Sequence, residues 1–373
     1  MRWSWRVGQI AGINIRVHAT LLLLFAWVAL EGYRSTGTPA GAVGGVVFVL
    51  GLFLSVVLHE LGHALAARRY GVPTQEITLL PIGGVARLAE MPRDPRQELH
   101  IALAGPAVTL AIVLVLYVVL RLLGISPLAS TGDLWTSGNW LRQLMWANIS
   151  LFVFNLLPAF PMDGGRVLRA TLALRMDYTR ATQVAARVGQ VFALLFAVVG
   201  LLYNPFLVLI ALFVWIGAAA EAAEVQRRAW LEGVPVERVM IRNVKTLGPR
   251  DTLSTALEHV LAGFQQDFPV VENGGVVGVL TRGRLLEGLA KEGAAAPVGR
   301  VMETTFRTAD PREPVEQALA RMQECRCHTL PVLSQRGLEG VLTADNVGEF
   351  VMIETALRNG QHTKGSGEPG GNS

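Results

Sequence analysis

The segment His59-Glu60-Leu61-Gly62-His63 sets two imidazoles four residues apart, with a carboxylate directly after the first. Side chains four apart on an α-helix share one face, about a turn from each other, so both rings can approach a single metal ion. A catalytic zinc takes three protein ligands and keeps a fourth position for water. Such an ion acidifies its water and polarises a carbonyl. A glutamate beside the first histidine can take the water's proton and pass it to a leaving nitrogen. His59 and His63 are therefore candidate metal ligands and Glu60 a candidate base. The preceding run Gly41–Leu58 carries no charge. Ionisable groups in a membrane span cost about 2.5–3.5 kcal/mol each on lenient scales, and persist where they are paired or metal-bound.

A third ligand has to come from elsewhere in the chain. Asp163 is the candidate, within Asn155-Leu156-Leu157-Pro158-Ala159-Phe160-Pro161-Met162-Asp163-Gly164-Gly165. The prolines interrupt an apolar stretch and the glycine pair permits irregular backbone. Such backbone is tolerated at membrane depth only where it is buried in protein or lines a wet cavity. On spacing alone, Asp163 could equally be an N-cap for a helix over Gly164–Leu174. His18 and His100 lack partners at ligand spacing and are expected to serve packing or interface roles.

These residues need a scaffold. Of 373 residues, 51% are hydrophobic and 17% charged, against about a quarter charged in soluble chains. Mean hydropathy is +0.40. The composition is that of a membrane protein. Six apolar runs approach the roughly 20 residues a spanning helix needs: Val17–Leu30, Gly41–Leu58, Ile101–Leu120, Leu141–Phe160, Val188–Tyr203 and Pro205–Ala220. The first is short and the fourth contains Pro158. Arginines alternate along the connections. Arg2, Arg6 and Arg16 precede the first span. Arg68, Arg69, Arg87, Arg93 and Arg96 follow the second. Arg166, Arg169, Arg175, Arg180 and Arg187 follow the fourth, and Arg227 and Arg228 the sixth. Arg34, Arg121 and Arg142 lie on the opposite side. The positive-inside rule then puts both termini in the cytoplasm of a multi-pass cell-membrane protein. Thr38-Pro39-Ala40 is a poor signal-peptide cleavage site, so the first span is expected to remain. The formal charge of +4 has no basic stripe interleaved with aromatics, and a nucleic-acid partner is not expected. Cys325 and Cys327 are too close in sequence for an easy structural disulfide, which fits a reducing compartment.

The pairing of H-E-L-G-H in one span with N-x-x-P-x-x-P-x-D-G-G in a later one resembles the site-2 protease family of intramembrane zinc metalloproteases, of the peptidase M50 type. Pro81-Ile82-Gly83-Gly84-Val85-Ala86 resembles that family's glycine-containing membrane-associated loop. Gly12-Ile13-Asn14-Ile15-Arg16-Val17-His18 resembles its approach to the first span. The resemblance covers roughly residues 1–225. It implies six transmembrane helices with a small membrane-associated β element. It implies one zinc ion per chain on His59, His63 and Asp163, with Glu60 as catalytic base. It also implies a role for Asn155 in holding substrate or the oxyanion, and transmembrane segments of other membrane proteins as substrates in the lipid bilayer. The alternation around Thr74–Leu88 suggests short strands, one of which could offer an edge to an unwound substrate.

After a charged helical linker, 226–234, the chain repeats itself. Val239-Met240, Pro249, Ala256, Phe268-Pro269-Val270 and Gly278-Val279-Leu280-Thr281 recur 62 residues later. The later copy reads Val301-Met302, Pro311, Ala318, Leu330-Pro331-Val332 and Gly340-Val341-Leu342-Thr343. The two copies resemble a tandem pair of α/β CBS domains, 235–294 and 295–357, ahead of a disordered tail, 358–373. The resemblance implies ATP or AMP as a regulatory ligand and homodimerisation through the pair. It makes Thr281, Thr343, Asp345 and Asn346 candidate nucleotide contacts. The family's ribose-binding carboxylate is replaced by Arg284 in the first copy and Asn346 in the second. Cys325, Cys327 and His328 are not expected to bind a metal. Two other readings stay open: a CBS-regulated metal-ion transporter, and an inactive membrane scaffold, against which the intact Glu60 argues.

Overall fold

The computed structural model describes residues 3–81, 83–88, 92, 94–128, 140–263, 265–325 and 327–365. It divides into two compact units, Met1–Val225 and Gln226–Ser373.

The first unit opens with strands β1 (Ser4–Ile10) and β2 (Ile13–His18), followed by helices α1 (Thr20–Thr36) and α2 (Pro39–Arg69). Strands β3 (Thr74–Leu80) and β4 (Gly83–Leu88) lead to α3 (Pro95–Leu122), α4 (Trp140–Leu156), α5 (Asp163–Ala173), α6 (Tyr178–Tyr203) and α7 (Phe206–Leu231). Helix starts follow their capping residues. Thr38 accepts from the Gly41 amide with Pro39 in the first turn. Asp94 caps α3 through the Arg96 amide, and Asp177 caps α6. Among the described residues four helices, α2, α3, α6 and α7, are long and apolar enough to cross a membrane. The runs expected as first and fourth spans form α1 and α4, each only 17 residues long. Leu201, Leu202, Phe206 and Leu209 stand exposed along α6 and α7. A face this apolar suits lipid rather than water.

The β element is larger than expected. The N-terminal residues form two strands rather than a simple lead-in to α1, and all four strands join one sheet in the order β1-β2-β3-β4. Ala11 and Gly12 both have positive φ, which gives β1 and β2 a tight turn matched to strand twist. β2 and β3 run parallel, Ile15 opposite Ile77. Ile13, Ile77 and Leu79 are buried against Leu21, Phe53 and Val57 of α1 and α2, so the sheet packs on these helices.

The second unit confirms the repeat at the level of the backbone. It holds α8 (Leu253–Ala262), β5 (Phe268–Glu272), β6 (Gly275–Leu280) and α9 (Arg282–Lys291), then α10 (Val315–Cys325), β7 (Thr329–Ser334), β8 (Gly337–Thr343) and α11 (Ala344–Gly365). Contacts between the copies are exchanged in pairs. Pro235 bridges Pro314 while Thr252 bridges Pro297, and Ile241 bridges Val341 while Val279 bridges Glu303. Shifting either member of a pair by the repeat offset of 62, forward from the first copy or back from the second, gives a residue of the other pair, the signature of a local two-fold axis. Asp267 and Thr329 are equivalent positions, and they meet: the Thr329 hydroxyl donates to Asp267 Oδ2 at 2.6 Å. The Arg282 amide donates to Asp267 Oδ1 at 2.8 Å, which caps α9.

Helix α11 is described to Gly365, and residues 366–373 of the tail expected to be disordered, 358–373, lie outside the described ones. One expectation is corrected here: Cys325 and Cys327 are paired in a disulfide, with their Cα atoms 5.2 Å apart, a separation that a disulfide spans.

Asp267→Ala would leave a buried hydroxyl and a helix N–H without their charged acceptor. It is expected to destabilise the second unit by about 1.5–3 kcal/mol, read as a lower urea midpoint in hydrogen exchange of β5 and β7.

Candidate metal centre

Helix α2 presents His59 and His63 on one face, both buried, and α5 presents the buried Asp163. Three atoms converge. His59 Nε2 lies 3.1 Å from Asp163 Oδ2, His63 Nε2 lies 3.0 Å from the same oxygen, and the two Nε2 atoms are 3.1 Å apart. The other ring nitrogens reveal what these three atoms carry. His63 Nδ1 lies 2.7 Å from the Ile101 carbonyl, which can only accept, so Nδ1 holds the proton and Nε2 a lone pair. The Thr109 hydroxyl donates to the Gly105 carbonyl at 3.3 Å. Its oxygen therefore accepts from His59 Nδ1 at 2.8 Å, and His59 Nε2 is also bare. Two lone pairs and a carboxylate oxygen face one another in a buried space. They repel unless a cation sits among them. Tetrahedral zinc with ligands near 2.0–2.2 Å holds its donors about 3.3 Å apart, close to the spacing seen here. The donors, their geometry and their outer hydrogen bonds fit a zinc site. Among the described residues it is the one such convergence of metal-ligating groups.

Two glycines are required by close approach. A Cβ on Gly105 would overlap the imidazole of His63, so α3 can touch α2 at that point only through glycine. A Cβ on Gly164 would overlap the Leu156 and Leu157 carbonyls, so the proline-broken turn before α5 closes only with glycine there. Asp163 is the first residue of α5, whose N-cap is Met162, so its carboxylate is free to face the histidines rather than to cap the helix.

Glu60 is half-buried on α2, and Gly84 of β4 lies beside it: a Cβ built there would come within 3.1 Å of Glu60 Cγ. Asn155 is half-buried in the last turn of α4. His18 pairs with Thr20, and His100 Nδ1 lies 2.7 Å from the Tyr70 hydroxyl, so neither joins the cluster. Thr109, Gly105 and the Ile101 carbonyl, all on α3, are functional elements that the sequence reading missed. None belongs to a motif, and a threonine in an apolar run is a weak signal.

In the second unit, Thr281 lines a cleft of about 500 Å³ together with Glu303, Thr305, Arg307 and His328. The disulfide-bonded Cys325 and Cys327 are also in its wall. Thr343 and Asn346 do not line it. The Thr343 hydroxyl accepts from the Asn346 amide, and Asn346 Nδ2 donates to the Val239 carbonyl at 3.2 Å. In the symmetry-related position the local axis places Gln265 where this cleft has Cys327, and Lys245 where it has Arg307. There the Gln265 amide is tied to the Lys245 backbone at both ends, at 2.9 and 2.8 Å. Arg284 is held by Glu303 at 3.3 Å and Glu287 at 3.5 Å. Lys291 first, and Arg284 after it, hold the exposed Glu287 carboxyl below the usual carboxylate value.

Taken with the apolar helices, the converging donors define a membrane metalloprotease of the H-E-x-x-H type. The model of peptidase family M50 matches residues 47–133 and 133–196, and that of the CBS domain matches 236–291 and 298–351. A zinc metalloprotease of Methanocaldococcus jannaschii is 37% identical over 305 residues, covering 80% of this chain and 84% of that protein. Rip3 of Mycobacterium tuberculosis, provisionally named a zinc metalloprotease, is 29% identical over 95% of this chain and 94% of its own length. The solved site-2 protease of Methanocaldococcus jannaschii is 40% identical, covering 59% of this chain and 95% of that one, with a TM-score of 0.44. The chain belongs to peptidase family M50: it is a site-2 protease-like zinc metalloprotease that carries a CBS pair.

Gly105→Ala is expected to displace the His63 ring and lower zinc affinity by about 10–100-fold. Helical content in circular dichroism should stay unchanged, and chelator competition measures the loss.

Proposed function

We propose that this protein is an intramembrane endopeptidase that hydrolyses peptide bonds within or near the transmembrane segments of other membrane proteins. The observation that carries this reading is the convergence of His59, His63 and Asp163 beside Glu60 on a helix long and apolar enough to cross a bilayer. In this reading the three residues hold one zinc ion, which supplies an acidified water and a polarised carbonyl. Glu60 takes the proton from the attacking water and delivers it to the leaving nitrogen. The Nδ1 hydrogen bonds to Ile101 and Thr109 keep both imidazoles turned toward the ion. Asn155, eight residues before Asp163 on the same broken segment, donates its amide to the substrate or to the oxyanion. β4 ends the sheet and passes beside Glu60, so its outer edge can take up an unwound substrate strand by β-addition. The names of the matched relatives favour hydrolysis over metal transport.

The same proposal has six spans, α1 and α4 included, with both termini in the cytoplasm, and a CBS pair that senses an adenine nucleotide and can pair two chains. Thr281 and Arg307 line the open cleft, whereas Gln265 bridges the equivalent one, which supports one nucleotide per chain at the Thr281 cleft.

Glu60→Gln is expected to keep about one zinc per chain and to lose at least 100-fold in cleavage of a transmembrane substrate in detergent or liposomes. Equal cleavage by the variant would sink the mechanism. Calorimetry of the full chain with ATP and AMP should show a single site. Arg307→Ala should weaken it at least tenfold while Gln265→Ala leaves it intact, and no heat at millimolar nucleotide would remove the sensing role.

A further inference from the structure

Helix α5 buries a second charged group besides Asp163. Arg169 lies six residues on, about 9 Å along the axis, and is 1% exposed. Its Nε and Nη2 donate to Glu98 Oε1 of α3 at 2.8 and 2.5 Å, and its Nη1 donates to Glu221 Oε1 of α7 at 2.6 Å. Its guanidinium lies 5.0 Å from the ring of Phe160 and 5.1 Å from that of Tyr178. Phe160 belongs to the proline-broken turn and Tyr178 opens α6. One planar group thus grips α3, α6, α7 and the turn that precedes Asp163. Arg169 is one of the arginines whose placement suggests the cytoplasmic side, and here it is fully buried.

The position of this clamp matters to the metal centre. Glu98 stands one turn before Ile101 on α3, and Ile101 holds His63. Thr109 and Gly105, farther along α3, hold and fit His59 and His63. α3 therefore sets where the two imidazoles point, while α5 sets where the Asp163 carboxylate lies. The separation of the three donors is a separation between these helices, and Arg169 joins them through Glu98.

We propose that Arg169 is a positioning residue of the metal centre: by binding Glu98 it holds the third ligand on α5 in register with the histidines supported by α3. A fixed fork that sets two donors on one Glu98 oxygen and a third on Glu221 is what a guanidinium offers and an ammonium does not. This rests on the zinc reading of His59, His63 and Asp163.

The test uses full-length wild type, Arg169→Lys and Arg169→Met in detergent, with four measurements: thermal unfolding, zinc Kd by chelator competition, the visible absorption of the cobalt(II)-loaded proteins, and the kcat and KM for cleavage of a transmembrane substrate. Arg169→Met is expected to raise the zinc Kd about 10–100-fold, to alter the cobalt bands, and to lower kcat with little change in KM. Arg169→Lys is expected to recover most of the thermal stability and only part of the zinc affinity. A folded Arg169→Met with wild-type zinc Kd and cobalt spectrum would show Arg169 to be a strut alone and overturn the proposal. Should Arg169→Met not fold, Arg169→Lys decides by the same two readouts. Failure of the wild type itself to bind zinc would instead overturn the metal reading.

Discussion

Two imidazole lone pairs and a carboxylate oxygen are held about 3 Å apart in a buried space, and the rest of the first unit is organised around that constraint. Such a convergence is unfavourable by itself. It is worth building only for a cation, and it must be enforced by groups that do not move. The enforcement comes from α3. A backbone carbonyl and a hydroxyl lock both rings in the tautomer that aims Nε2 inward, and the missing Cβ of Gly105 lets the helix come close enough to do so.

The membrane setting makes this economy necessary. The helices that carry the histidines and their supports are apolar along most of their length and expose leucines outward. In such surroundings an unpaired charge is expensive, and the charges buried on α5 are found with partners. His59 and His63 share Asp163. Arg169 shares Glu98 and Glu221 and is flanked by aromatic rings. The sheet lies against the same helices and brings the backbone of Gly84 beside Glu60, which sets the candidate base next to a strand edge.

The second unit follows a different logic. Its stability rests on two copies burying the same faces against each other about a local axis, with Val236, Val315, Leu330 and Val332 in one core and Leu253, Phe268, Val270 and Val298 in the other. Symmetry of backbone does not bring symmetry of chemistry. The Gln265 side chain hydrogen-bonds the Lys245 backbone in one copy, where the equivalent residue of the other copy, Cys327, is disulfide-bonded and lines an open cleft.

The amino-acid sequence by itself set out the candidate donors and the repeat. H-E-L-G-H and the D-G-G after paired prolines state residue types at helical spacing, and the 62-residue offset is exact from strand to strand. Local chemistry is written in local order, so both were legible. Only the tertiary structure decided what holds the donors. Ile101 contributes a backbone carbonyl, which every residue has, and Thr109 and Gly105 are ordinary members of an apolar helix. Glu98, Arg169 and Glu221 are 71 and 52 residues apart along the chain, and nothing in their neighbourhoods marks them as one cluster. The N-terminal strands were likewise read as a lead-in to a helix. β2 joins the sheet through β3, more than fifty residues away, and a parallel strand partner leaves no trace in the sequence between.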